Sequence, residues 1–361
     1  MTLLRKLGFF SAFTLPLLSI GGYYLGGWWN FSSIIFTYLF LPLADWLIGK
    51  DSKNPDEHNI SELSEERFYR FITYAWVYVQ VAIIVWGAYV FAYGYIGEWY
   101  WKIGFLLGIA NVTGGVGITV AHELGHKNTP IEQFYAKVLL MTVCYMHFFI
   151  EHNKGHHVWV ATPKDPATSR RGESFYRFYF RTVLGSFMSA LAIEKERLNR
   201  KNISVWSFKN DMVWFSILPF VFCGLLTAGL YFYTGQFSSG VIIFFFLQSI
   251  LAFSLLEAVN YIEHYGITRN EIGNGRYERV NPLHSWNANH LVTNFYLFQL
   301  QRHSDHHANA SRRYQVLRHF DESPQLPQGY PAMILLALVP PLWFRVMDNR
   351  LEKWKLESGL V

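Results

Sequence analysis

His303, His306 and His307 stand at i, i+3 and i+4 in the stretch LQRHSDHHANASRRYQ, which begins at Leu300. On a helix these three imidazoles share one face. Imidazoles crowded in this way repel one another when protonated, and a cation that takes their lone pairs holds them neutral. Two other stretches repeat the pattern: His122 and His126 in HELGHK, and His152, His156 and His157 in EHNKGHH. His58, His147, His284, His290 and His319 stand alone and read as structural side chains. His264, in NYIEHYG, is also single in its motif, and spacing leaves it open between ligand and structural residue. The clustered imidazoles are too many for one ion and enough for two. Imidazole suits zinc, copper, iron and nickel, so ligand type alone does not choose the metal. Only Cys144 and Cys223 are available as thiols and neither lies in a CxxC, which argues against a thiolate-bound zinc or iron–sulfur site within the chain.

Carboxylates flank the histidines: Glu123, Glu151, Glu263 and Asp305. Neighbours in sequence point apart on a helix, so each is expected to accept the free N–H of a ligand histidine from another helix, which orients the ring. Direct ligation by one of them is the alternative. Asp165, Arg302, Arg312 and Arg313 read equally as caps and surface charge or as groups that orient the clusters and dock an acidic partner.

The elements that carry these residues are apolar and long. Apolar residues make up 51% of the 361 and charged residues only 16%, below the usual share for a soluble domain. Blocks near 8–28, 31–49, 71–93, 100–121, 212–233 and 241–261 are each long enough to span a bilayer as a helix. The expected fold is all-α: a polytopic membrane protein with six transmembrane helices and a cytoplasmic helical cap carrying the histidine-rich site. Residues 1–121 would hold helices one to four. Residues 122–211 would be a cytoplasmic histidine-box segment, 212–261 helices five and six, and 262–361 a cytoplasmic C-terminal histidine region. The apolar run 138–150 is too short to cross and reads as a re-entrant or core helix. The run 331–344, interrupted by Pro340 and Pro341, reads as packed on the cap or lying in the interface. Gly114, Gly115 and Gly117 in the fourth span are either packing positions or space for a substrate.

With six spans, Lys102 is the one basic residue of the 31 Lys and Arg that falls on the far side. The positive-inside rule then puts both termini and every histidine cluster in the cytoplasm. The net charge of +5 is met by the membrane surface, and no nucleic-acid partner is needed to explain it.

HELGHK, EHNKGHHVWVATPKDPA, NYIEHYGI and LQRHSDHHANASRRYQ together resemble the four motifs of the integral-membrane alkane 1-monooxygenase family, within the membrane fatty-acid desaturase and hydroxylase superfamily. The match covers most of the chain. Desaturases usually show HxxxH, HxxHH and HxxHH, whereas the second box here is HxxxHH. The resemblance implies a non-haem di-iron centre in a bacterial inner membrane, with His264 as a ninth histidine ligand. It also implies O₂-dependent terminal hydroxylation of medium-chain n-alkanes, with electrons from rubredoxin and its reductase. Rubredoxin would be a separate protein or a domain fused beyond Val361. An alkane offers no polar handle, so the spans are expected to form an apolar channel whose length sets regioselectivity. Its expected walls are the second, third, fourth and sixth spans, with Trp46, Gly114, Gly115 and Gly117. A xylene-type methyl hydroxylase and an acyl-lipid desaturase or hydroxylase are the enzyme alternatives, and a metal transporter is the alternative from another class. Transport sites favour the bilayer midplane and broken helices, whereas these clusters sit at helix ends.

Overall fold

A computed structural model describes residues 3–359. Among the described residues six helices are long and apolar enough to cross a membrane: α1 (Arg5–Leu25), α2 (Gly27–Ile48), α3 (Arg67–Tyr93), α4 (Trp99–Gly125), α8 (Asp211–Thr234) and α9 (Gly240–His264). Between α4 and α8 lie α5 (Pro130–Met141), α6 (residues 148–159) and α7 (Phe175–Asn199). After α9 come a two-stranded hairpin, β1 (Glu271–Gly273) and β2 (Arg276–Tyr277), and then α10 (Leu291–Tyr296), α11 (His303–Ala308), α12 (Tyr330–Ala337) and α13 (Pro340–Glu357). The chain is a mostly helical membrane protein.

The spans run further than hydropathy alone indicates, because α4 and α9 continue as helix through their histidines. His122 lies in the last turn of α4 and His264 is the final residue of α9. The tight α1–α2 connection needs Gly26 and Gly27, which adopt φ of +74° and +53°.

The run 138–150 is not one helix. Thr129 caps α5: its Oγ1 accepts from Glu132 N and donates to the Glu132 carboxylate, with Pro130 in the first turn. The helix stops at Met141, and residues 142–147 turn back through Cys144 at φ +53° into α6. Gln80 Nε2 donates to Thr142 Oγ1 at 2.8 Å, and Gln248 Nε2 donates to the Thr142 carbonyl at 2.8 Å. Both glutamines are fully buried in spans, about 20 Å along their helices from the histidine-bearing end at 1.5 Å per residue. The pair α5–α6 is therefore a hairpin pushed between α3 and α9. Its turn is tolerated at that depth because protein side chains satisfy its backbone.

Among the described residues three π-helical segments interrupt the spans and the hairpin, at Phe36–Phe40, Asn111–Gly117 and His152–His156. A π turn inserts one residue and re-aims the side chains that follow, which is why such turns cluster at functional sites. Asn111 Nδ2 ties two of them together by donating to Thr37 Oγ1 at 2.8 Å. The run 331–344 is likewise split, with α12 ending before Pro340 opens α13. Asp45 at the end of α2 accepts from Thr293 N at 3.1 Å and Thr293 Oγ1 at 2.7 Å, which anchors the C-terminal region to the spans.

Candidate metal centre

The nine histidines named from the sequence converge into two groups, each with ring nitrogens within 4.8 Å of one another. The first holds His122, His126, His152, His157 and His306, and the second holds His156, His264, His303 and His307. His264 thus joins the set, while His147, His284, His290 and His319 lie outside it and His58 sits in the loop before α3.

The division follows helix geometry. His122 and His126 are four apart on α4 and its cap and share the first group. His303 and His307, four apart on α11, share the second, while His306 turns to the first. In α6 the i, i+4 pair is split instead: His152 joins the first group and His156 the second, and His157, five residues on, rejoins His152. The π turn at His152–His156 is the reason, since its repeat brings i and i+5 onto one face.

The nitrogens are arranged for a cation. His152 Nε2 lies 3.0 Å from His126 Nε2 and 3.1 Å from His157 Nε2, which is 3.1 Å from His306 Nε2. In the second group His303 Nε2 lies 3.3 Å from His264 Nε2 and 2.9 Å from His307 Nε2. Nitrogens held about 2.1 Å from one ion at right angles would sit about 3 Å apart. Nε2 of His122 and of His156 are buried with no hydrogen-bond partner, so each has a lone pair to give. Burial first, then the neighbouring imidazoles, pushes His126, His152, His303, His306 and His307 well below the ordinary histidine pKa. The rings are neutral near pH 7, as metal binding requires. The residues fit a metal at each group.

The carboxylates behave differently from the sequence expectation. Asp165, which the sequence leaves undecided, accepts from His156 Nδ1 at 2.9 Å and fixes that ring with Nε2 toward the group. It is held in turn by Ala167 N and Thr168 Oγ1. No periodicity flags it, because it sits nine residues on, in a turn. Glu123 pairs instead with Lys127 at 3.0 Å and accepts from Tyr314 N. Glu151 is buried near Ser189, in space left by the missing side chain of Gly155. Asp305 takes Arg312 at 2.6 Å, Asn309 and Arg318 N, and so shapes the loop after α11. Of the four carboxylates that flank the histidines in sequence, Glu263 alone reaches a histidine among the described residues, with Oε2 3.2 Å from His303 Nε2. Arg313 pairs with Glu132, and Arg302 is buried against the carbonyls of Leu317, Asp51 and Lys53. Those two arginines are structural and are not part of a docking face.

Asp165→Asn keeps the shape but cannot accept the Nδ1 proton as a charge. Its expected effect is a ~10–100-fold loss in metal affinity, read by competition with a chelator. Wild-type affinity in that variant would remove Asp165 from the centre.

A cavity of about 60 Å³ leads to the first group. It lies between α2, α4, α9 and α12, is lined chiefly by apolar groups, and reaches His122 and His152. Gly114 and Gly115 line it, but Gly117, Trp46 and the third span do not. Trp46 is 70% exposed on the outside of α2. A side chain at Gly117 would overlap Gln80, so that glycine serves packing. Tyr38, Asn260 and Tyr330 line the cavity too, and no sequence pattern singled them out.

A family model described as fatty acid desaturase matches residues 99–337. Alkane 1-monooxygenase 2 of Pseudomonas aeruginosa is 44% identical, over 93% of this chain and 87% of that one. The chain belongs to the alkane 1-monooxygenase family. It is a membrane-bound, metal-binding monooxygenase of that family, and the match extends through all four histidine motifs. The alkane 1-monooxygenase of Ectopseudomonas oleovorans is 42% identical, over 91% of this chain and 80% of that one. The hydroxylase component XylM of xylene/toluene monooxygenase from Pseudomonas putida is more distant, at 27% over 92% of this chain and 85% of that one. Family membership makes the chain an oxidoreductase and sets the transporter reading aside.

Proposed function

We propose that this enzyme hydroxylates the terminal methyl of medium-chain n-alkanes with O₂. One iron would sit in each histidine group, and rubredoxin, reduced by its reductase, would supply the electrons. The observation that carries the reading is the cavity: an apolar space lined by residues of the spans and by two histidines of the five-membered group. Iron bound there would supply the activation of dioxygen. His122, His126, His152, His157 and His306 would hold one ion, and His156, His264, His303 and His307 the other.

The remaining work falls to the chain. The walls exclude water and align an alkane, which has no group to hydrogen-bond, by shape alone. His122 and His152 line the cavity, so the reacting carbon would be the one that comes to lie against them. α12, which starts at Tyr330, forms part of the cavity wall beside α2 and α9, where a membrane-dissolved chain could enter from the side.

Charge distribution supports a bacterial inner-membrane location with the histidines on the cytoplasmic side. His126 and His157 are the members of the first group that are not fully buried, and Lys154, three residues before His157, is exposed. An acidic electron carrier would approach there. Turnover at subsaturating carrier is therefore expected to fall as salt rises, and a flat salt profile would count against this approach.

The test combines metal analysis with turnover. Protein produced with iron, given rubredoxin, its reductase, NADH and octane, is expected to hold two irons per chain and form 1-octanol. Iron without octanol, but with oxidation of a methylarene, would favour the XylM-like substrate. Zinc, or no retained metal, would overturn the reading.

A further inference from the structure

The two histidine groups meet the cavity differently. His122 and His152 of the first group line it, whereas none of His156, His264, His303 and His307 does. The side chain that stands on the cavity side of the second group is Glu263. It is 2% exposed. Its Oε1 accepts the Tyr330 hydroxyl at 2.6 Å, and its Oε2 lies 3.2 Å from His303 Nε2.

Which nitrogen it faces decides its role. A carboxylate that merely orients a ligand histidine sits on the nitrogen turned away from the metal, as Asp165 does with His156 Nδ1. Glu263 sits on the other side. His303 Nε2 is the nitrogen that also faces His264 Nε2 and His307 Nε2, and His303 Nδ1 has no partner. Oε2 therefore points into the space where the ring nitrogens converge. Among the described residues no Lys or Arg pairs with this carboxylate. A buried carboxylate without a compensating cation is costly, and an ion among the four histidines would supply that charge. Carboxylate oxygen and imidazole together suit iron.

We infer that Glu263 is the fifth ligand of the four-histidine group and closes it on the cavity side, with Tyr330 holding the free oxygen. Both groups then offer five ligands, five imidazoles in one and four imidazoles with a carboxylate in the other. The inference rests on the proposal that each group holds an iron. It makes the two ions chemically unlike, and it puts the carboxylate between the second ion and the substrate.

The test is iron content and the Mössbauer spectrum of full-length wild type, Glu263→Ala, Glu263→Gln and Tyr330→Phe. Wild type is expected to hold two irons in two distinguishable environments. Glu263→Ala is expected to bind one of them at least ~10-fold more weakly and to lose or change a single doublet. Glu263→Gln keeps the size of the side chain and should change the same doublet, which decides the matter should the alanine variant fail to fold. Tyr330→Phe should retain both irons and shift that doublet slightly. Two firmly held irons with a wild-type spectrum in Glu263→Gln would overturn the inference. A wild-type chain with fewer than two irons would instead overturn the di-iron reading beneath it, and the inference with it.

Discussion

Replacing His152 with alanine is expected to abolish alkane hydroxylation, with a loss of at least ~100-fold that exceeds the ~10–100-fold typical of residues behind the ligands. His152 sits between two other members of its group, 3.0 Å from His126 and 3.1 Å from His157. It also lines the cavity. Its removal would delete a proposed ligand and open space beside the cavity in one change. On the proposed di-iron centre, the first group's ion should be lost to a chelator while the second group, which does not contain His152, keeps its own. His147→Ala is the control. That ring packs between Tyr145 and Phe187 at the re-entrant turn, outside both groups. It should retain both irons, with any effect confined to stability. A His152→Ala protein that holds both irons and still hydroxylates octane would remove His152 from the centre.

Gly115→Phe is expected to cut octane turnover by ~100-fold or more with iron content unchanged, because the ring would occupy the cavity proposed to bind the alkane. A Cβ at Gly115 meets only Asn111 Oδ1, at 3.4 Å, so the first atom is accommodated and the rest projects into open space. Shorter alkanes should be affected less than longer ones, and the product profile across chain lengths reads this directly. Neighbouring glycines predict a different outcome. A Cβ at Gly114 would stand 2.5–2.9 Å from the Ala252 backbone, and one at Gly117 would stand 1.8 Å from Gln80 Oε1. Alanine at either position should push α4 off its neighbours and lower stability, since a packed interface resists added volume. An unchanged chain-length profile in Gly115→Phe would take this residue out of the wall. Trp46, which faces outward, should leave the profile unchanged when made small.

Much of this protein was determined locally and can be read along the chain. A helix that crosses lipid must satisfy its own backbone and present about 20 apolar residues, so the six spans are visible as blocks. Histidines three or four apart share a helical face, so the HELGHK and RHSDHH clusters announce metal binding before any fold is known. The identities of the nine histidines follow from those spacings and, for His264, from the likeness of its motif to the family's.

What the tertiary structure decided is which faces meet. The i, i+4 spacing of His152 and His156 suggests partners, but the π turn puts them in different groups and pairs His152 with His157. A π turn depends on how a helix is held by its neighbours, and no residue pattern marks it. Asp165 reaches His156 through a turn, and Glu263 faces His303 because α9 and α11 end against one another. Both contacts join residues whose separation carries no period. Trp46 and Gly117 show the same limit in reverse: each lies on a helix that borders the cavity, and the rotation of that helix turns it away. The re-entrant hairpin exists because Gln80 and Gln248, from two separate spans, converge on Thr142. Sequence periodicity fixes a face relative to its own axis, while the angle of that axis against its neighbours is set by packing from the whole chain.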